Sequence, residues 1–255
     1  MDHILAEMQP QLKLIVKAIQ KGVGEDVREY KNTTNKATDN AVPFMRADNI
    51  NTNLRDSVAS DSLELKYFKR CSWTGCLLID RLNKRTITIC SKQTVERIPR
   101  KTDRRIPHYL QTILHIQNSD VEYVSEQPDL FYYPSENQFS EEEYRLDYAE
   151  IMEDEIAFGD GYVHWVVVYE ATHYTVNSIA MKKLDQYFRT AQEIRLENLL
   201  SPDFRDLTME SSYSDQPKDA HALVSVKPRI HAAVDGVAKQ EPIAISKKMK
   251  EEEQA

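Results

Sequence analysis

Residues 76–92 read CLLIDRLNKRTITICSK. The run from Cys76 to Ile79 is continuously apolar yet too short for a helix, so it suits a strand buried on both faces. Asp80 closes it, and Asn83 sits in the polar turn that follows, a residue type that tolerates positive φ. The returning segment RTITIC puts Ile87 and Ile89 on one face, the period of two that marks a strand. Upstream, LELKYFKRC (63–71) shows the same alternation, so the hairpin extends to a three-stranded antiparallel meander.

Working outward, Leu12, Ile15, Val16 and Ile19 recur at helical spacing. They predict an amphipathic helix with Pro10 in its first turn and Gly22 or Gly24 as its stop. The stretch EDVREYKNTTNKATDNA (25–41) is polar and its second half is linker-like. In RADNINTNLRDSV, Asp48 is placed to cap a helix whose stripe is Ile50, Leu54 and Val58. Past the hairpin, SKQTVERIPR is a short helix cut by Pro99, and PHYLQTILHIQN is a second one that starts at Pro107 and turns Leu110, Ile113 and Leu114 inward. Ser140 and Glu143 form a capping box for EEEYRLDYAEIMEDE, with Tyr144, Tyr148, Ile151 and Met152 facing the core. A turn at FGDG leads into YVHWVVVYEAT, YTVNSIAMKKL and a strand around TAQEIRL, a second antiparallel meander.

The expected fold class is therefore α+β, two helix-plus-meander units with the option of one shared sheet. The expected organisation is an N-terminal amphipathic helix over 1–24, a linker-like segment over 25–42, an α+β core over 43–207 and a disordered tail over 208–255. The tail is rich in proline and mixed charge and poor in large apolar groups.

With 41% hydrophobic and 29% charged residues, the chain has the composition of a soluble globular protein. Its longest apolar run, near VHWVVVYEA, falls far short of the ~18 residues of a membrane span. The opening MDHILAEMQPQ has no basic leader ahead of an apolar stretch, so secretion is not expected and the cytoplasm is. Cys71, Cys76 and Cys90 are an odd count with no CxxC pair, which argues against a disulfide framework or a zinc knuckle.

The net charge of −8 hides two opposed segments. Residues 63–118 hold twelve Lys/Arg against four Asp/Glu, a net of +8; residues 119–170 hold one against fifteen, a net of −14. The basic segment carries VERIPRKTDRRIPHYLQ, in which Arg97, Arg100, Lys101, Arg104 and Arg105 fill a proline-bracketed loop just before a helix. Guanidinium forks and a helix N-terminus both suit phosphate. Tyr67, Phe68 and Trp73 interleave with neighbouring cations, and exposed rings of that kind stack bases. Arg46, Asn51 and Arg55 form a secondary group, since i, i+4 spacing puts Asn51 and Arg55 on one face. The plain alternative is a solvated loop that neutralises the acidic helix of the same chain.

Three function classes follow. The first is non-catalytic binding of nucleic acid or another polyanion through the basic loop. The second is a protein-interaction module, whose acidic stripe Glu143, Asp147, Glu150 and Asp154, with the tail, meets a basic partner or a second copy. The third is a Mg²⁺-dependent nuclease of the restriction-endonuclease type, with Asp80 as a metal-holding carboxylate and Lys92 as the charge-stabilising lysine. In that pattern Cys90 occupies the slot of the second acid, which leaves Glu96 or Glu64 as substitutes. Asp80 as a turn residue and Lys92 as a solvated strand end is the simpler account. His108 and His115 stand seven apart on one helix, about 10 Å, too far to share a metal. No HExxH, GxSxG or P-loop motif occurs. Neither a cofactor nor a metal site is expected, nor is a membrane partner.

Taken as a set, PFMRADNINTNLRDSV, LLIDRLNKRTITICSKQTVERI, HYLQTILHIQN, DGYVHWVVVYEATHYTVNSI and LSPDFRDLT resemble an uncharacterised Firmicutes family, domain of unknown function 5986, over roughly residues 40–208. The resemblance implies a bacterial, intracellular protein and supplies no active site.

Overall fold

A computed structural model of the chain describes residues 2–34, 37–60, 62–70, 73–123, 139–153 and 155–202. The tail expected over 208–255 lies outside the described residues. Six strands, β1 (Glu64–Arg70), β2 (Trp73–Asp80), β3 (Arg85–Ser91), β4 (Val163–Thr172), β5 (Thr175–Leu184) and β6 (Thr190–Arg195), lie in one sheet in chain order. The fold is α+β, and the two meanders share that sheet. Each meander is antiparallel within itself. Their junction is different: β3 pairs with β4 in parallel, from Arg85↔Val163 to Ser91↔Tyr169. A parallel neighbour cannot be reached by a tight turn, so the chain between them crosses one face of the sheet through helices.

Helices cover both faces. On one side lie α1 (Asp2–Val23) and α3 (Val42–Ser57), whose Leu12, Ile15, Ile19, Ile50 and Leu54 pack on Leu78, Ile87, Trp165 and Val167. On the other lie α5 (Tyr109–Gln117) and α6 (Glu141–Met152), whose Leu110, Ile113, Leu114, Tyr148 and Ile151 pack on Leu77, Ile79, Val166 and Val168. Alternate residues of β2 thus enter opposite cores, which is why CLLID has no polar face. No helix among the described residues is long and apolar enough to cross a membrane.

Several local expectations shift. Pro10 lies within α1 and not in its first turn, because the helix begins at Asp2. Pro10 and Ala6 are both exposed, so the carbonyl that loses its helical donor can turn to water. Glu25–Thr33, within the segment read as linker-like, forms α2 and buries Val27. Asp48 does not cap α3, which starts earlier with Ala41 as N-cap and Pro43 in its first turn. The segment after the hairpin forms α4 (Lys92–Arg97), capped by Ser91, whose hydroxyl accepts from the Thr94 N–H. The capping box of Ser140 and Glu143 forms at the start of α6, with the expected core face buried.

The parallel seam contains a buried polar chain. Tyr148 OH accepts from Gln117 Nε2 at 2.8 Å, and Gln117 Oε1 accepts from the Thr86 hydroxyl. That hydroxyl has then used its only proton, so at 2.7 Å it accepts from His164 Nδ1–H. His164 Nε2 in turn accepts from Thr88 at 2.9 Å. Asn118 completes the seam: its side chain accepts from the His164 N–H at 2.8 Å and donates to the carbonyls of His164 and Leu184. It stands where the β4–β5 ladder, which starts at Val166↔Lys182, would otherwise continue.

Burial holds His164 neutral, its pKa pushed down to about 3 from an ordinary 6.5. An unfolded chain takes up that proton below pH 6.5 while the folded one does not, so this stabilisation is complete above 6.5 and is lost as pH falls towards 3. Chemical denaturation at pH 7.5 and 5.0 should show a stability loss about 2 kcal/mol larger in the native chain than in His164→Gln. Equal losses in the two would mean that His164 titrates normally. Gly22 offers a test of packing. A Cβ there would lie 2.8 Å from the backbone N of Ile50, where α1 crosses α3. Gly→Ala inside a helix ordinarily stabilises by about 0.5–1 kcal/mol; here we expect Gly22→Ala to lower the unfolding free energy by about 1–3 kcal/mol, read by the midpoint of urea unfolding.

Candidate functional site

The two helical layers part at the carboxyl ends of β3 and β4, leaving a cleft of about 1410 Å³. Its floor is the strand ends, including Cys90, Ser91 and Tyr169, with Trp73 and Thr74 from β2. One wall is the stretch of α3 from Pro43 to Asn51, with Phe44, Arg46 and Asn51; the other is α4 and the loop that follows, with Arg97, Lys101, Arg104 and Arg105. Ligand sites of open α/β sheets occupy the same place, outside the carboxyl ends of parallel strands.

Seven Lys/Arg line the cleft (Arg46, Arg70, Lys92, Arg97, Lys101, Arg104, Arg105) against four acids, Asp48, Glu96, Asp103 and Glu170. Two of the seven are neutralised: Arg70 forks onto Asp147 at 2.6 Å, and Lys92 meets Glu170 at 2.9 Å. The other five form no ion pair with any described residue. Arg104 donates to the carbonyls of Ile98 at 2.7 Å and Lys101 at 3.3 Å, which folds the loop back on itself. Partial burial and the neighbouring Arg97 hold its pKa below the usual guanidinium value. Arg46 donates to the His173 carbonyl, while its Nε is buried without a partner.

His108 is a further occupant that spacing arguments passed over. It is the N-cap of α5, its Nδ1 accepting from the Leu110 N–H at 3.2 Å, so the helix begins at Tyr109 and not at Pro107. Burial, then Arg104, Arg70 and Arg97, push its pKa down to about 3, leaving a neutral ring. The cleft thiols are inert: burial raises Cys76 to about 12 and Cys90 to about 11. Cys71 lies outside the described residues.

The structure sorts the sequence candidates. Arg97, Lys101, Arg104 and Arg105 line the cleft together; Arg100 is exposed and is not among the lining residues. Of the secondary group, Arg46 and Asn51 line the facing wall, whereas Arg55 pairs with Asp56 at 2.8 Å outside it. Phe68 is buried and not available for stacking.

The nuclease arrangement fails on distance. Asp80 and Lys92 lie at opposite ends of the β2–β3 hairpin, about 20 Å apart by strand rise. The Asp80 carboxylate is buried and accepts from the backbone N–H and side-chain amide of Asn83, fixing the turn. Lys92 is an exposed helix start tied to Glu170. The acidic stripe is likewise not a free patch. Asp147 is buried, held by Arg70 and by the Thr112 hydroxyl, and Glu143 is spent on its cap. Asp154 lies outside the described residues. Among the described residues, no group of three or more His, Cys, Asp or Glu is placed to hold a metal.

The Arg70–Asp147 pair braces the cleft floor against α6. Removing one partner of such a pair leaves the other charge buried alone. We expect Asp147→Ala to destabilise the fold by about 3–5 kcal/mol, measured by urea unfolding, with Glu150→Ala on the exposed side of α6 within about 0.5 kcal/mol of the native chain.

No curated protein and no solved structure matches the chain. One family model does, over residues 6–247. Its span exceeds the 40–208 that carries the sequence resemblance and takes in most of α1, in keeping with that helix's place in the core. The chain belongs to DUF5986, a family of unknown function.

Proposed function

We propose that the protein is a non-catalytic binder of nucleic acid, held by its phosphates in the cleft between α3 and the 97–105 loop. One observation carries the proposal: Arg46, Arg97, Lys101, Arg104 and Arg105 line one cleft and meet no carboxylate of the described chain at ion-pair distance. Elsewhere in the basic segment, Lys66, Arg70, Arg81, Arg85 and Lys92 are paired with acids, while Lys69, Lys84 and Arg100 form no ion pair with a described residue. Lys66 lies between Glu153 and Glu155, Arg81 between Glu64 and Glu155, and Arg85 against Glu7. Cations left uncompensated at the cleft are complementary to an anionic ligand. Arginine forks read phosphate oxygens bidentately, and the partnerless Nε of Arg46 faces the same need.

Fluorescence anisotropy with labelled oligonucleotides tests this. Five phosphate contacts release counterions with a log–log salt slope of about −3.5 to −4.5, so affinity should fall roughly 100- to 500-fold between 50 and 200 mM salt. Arg97→Ala with Arg105→Ala should flatten the slope by about 1–2 and weaken binding at low salt. Arg195→Ala, on the edge strand β6, should change neither. Binding that ignores salt, or that is absent at low ionic strength for single and double strands alike, removes the proposal.

A further inference from the structure

We propose that the cleft takes its nucleic acid as a single strand, with one base laid on the ring of Trp73; this rests on the reading above and names the form of the ligand. Trp73 opens β2 and is 37% exposed at the cleft floor. Its ring stacks on Tyr109, centroids 5.2 Å apart at 26°, and meets the buried Phe68 edge-on at 5.8 Å. Gly75 makes this possible: a Cβ there would come within 2.3 Å of the Phe68 ring and 2.7 Å of the Trp73 ring. The indole is thus braced from beneath, and a base stacked on it would cost little side-chain ordering.

Trp73 is not an isolated exposed apolar group. Phe44 on the α3 wall is 71% exposed and Ile106 in the basic loop 52%, and both line the same cleft. Single exposed apolar residues are ordinary on protein surfaces. Three gathered among five unpaired cations form a surface with two chemistries, one for phosphate and one for flat apolar rings. A duplex offers only the first, since its bases are stacked inside. A sulfated glycan or polyphosphate has no aromatic rings. A single strand, DNA or RNA, presents both along its length, with little sequence preference because every base has a π-face. The cleft volume, about 1410 Å³, exceeds the roughly 300–1,000 Å³ of sites for one small ligand, which suits several nucleotides.

The chain has two tryptophans, and the other, Trp165, is 3% exposed, so a fluorescence change on binding reports Trp73. The full chain is titrated at low salt with oligo-dT and oligo-U of about a dozen nucleotides, with a duplex of equal length, and with heparin. Either oligonucleotide should quench the emission and bind more tightly than the duplex, while heparin binds without quenching. Trp73→Ala should lose about 5- to 150-fold in single-strand affinity, the equivalent of ~1–3 kcal/mol for one stacked base, and leave heparin affinity unchanged; Trp73→Phe should keep most of it. If the alanine variant does not fold, the comparison of ligands on the native chain decides alone. Duplex binding as tight as single-strand binding, or single-strand binding without quenching, overturns this inference and leaves the polyanion proposal standing. Failure of all four ligands to bind overturns both.

Discussion

The parallel ladder between β3 and β4 is the constraint on which the rest depends. Two antiparallel meanders form from local turns, and one non-local pairing makes them a single sheet. That pairing obliges the intervening chain to cross one face, which supplies α4, α5 and α6, covers the sheet on its second side and leaves the cleft where the layers separate. A slip of one residue in the ladder would turn His164 away from Thr86 and Thr88 and send its ring into the opposite, apolar core, leaving the threonine hydroxyls without it. Each orphaned buried group would cost about 1–3 kcal/mol. The hydrogen-bonded chain through His164 therefore selects the register, and Asn118 ties the end of α5 to it.

Most of the cations held on or beside strands are paired, and those of the cleft loop are not. Lys66, Arg70, Arg81 and Arg85 lie on or beside strands, at fixed distances from acids on α1, β1, α6 and the segment just after it, and they are paired. Arg97, Lys101 and Arg105 project from the last turn of a short helix and a loop, beyond reach of those acids. The net charge of −8 conceals this division, as does the +8 counted over residues 63–118. What distinguishes the two sets of cations is the partner that folding brings within 4 Å, and that depends on which strands are neighbours.

Local chemistry was legible and long-range pairing was not. Alternation in RTITIC, the apolar run in CLLID and the box of Ser140 and Glu143 each announce an element whose signal lies within a few residues. The parallel junction leaves no such mark, because periodicity says which face a residue takes and nothing about which strand lies beside it. The same limit let Asp147 pass for a surface acid: it lies on a stripe of carboxylates, yet Arg70 from another element draws it inside. It also let Asp80 and Lys92 stand as neighbours, although the hairpin that places them close in sequence holds them at its two ends. In the cleft, the basic loop was visible as a run of cations. Arg46 and Asn51 on the α3 wall were named only as a secondary group, and Phe44 beside them was not named, since nothing local in the sequence says that α3 faces the basic loop. The misplaced helix starts at Pro10 and Asp48 share one cause, namely that residues favoured at a helix start are also tolerated within helices when their surroundings face water.

The sheet is open, and among the described residues β1 and β6 each have a neighbour on one side only. Bare strand edges invite further strands and hence fibrous assembly. Both are protected by charge. Midway along β1 the ammonium of Lys66 is clasped by Glu153 and Glu155, and on β6 Glu193 holds Lys182 at 2.9 Å with Arg195 beside it. An incoming strand would have to disturb these ion pairs before gaining any backbone bond, which raises the cost of extending the sheet at either edge.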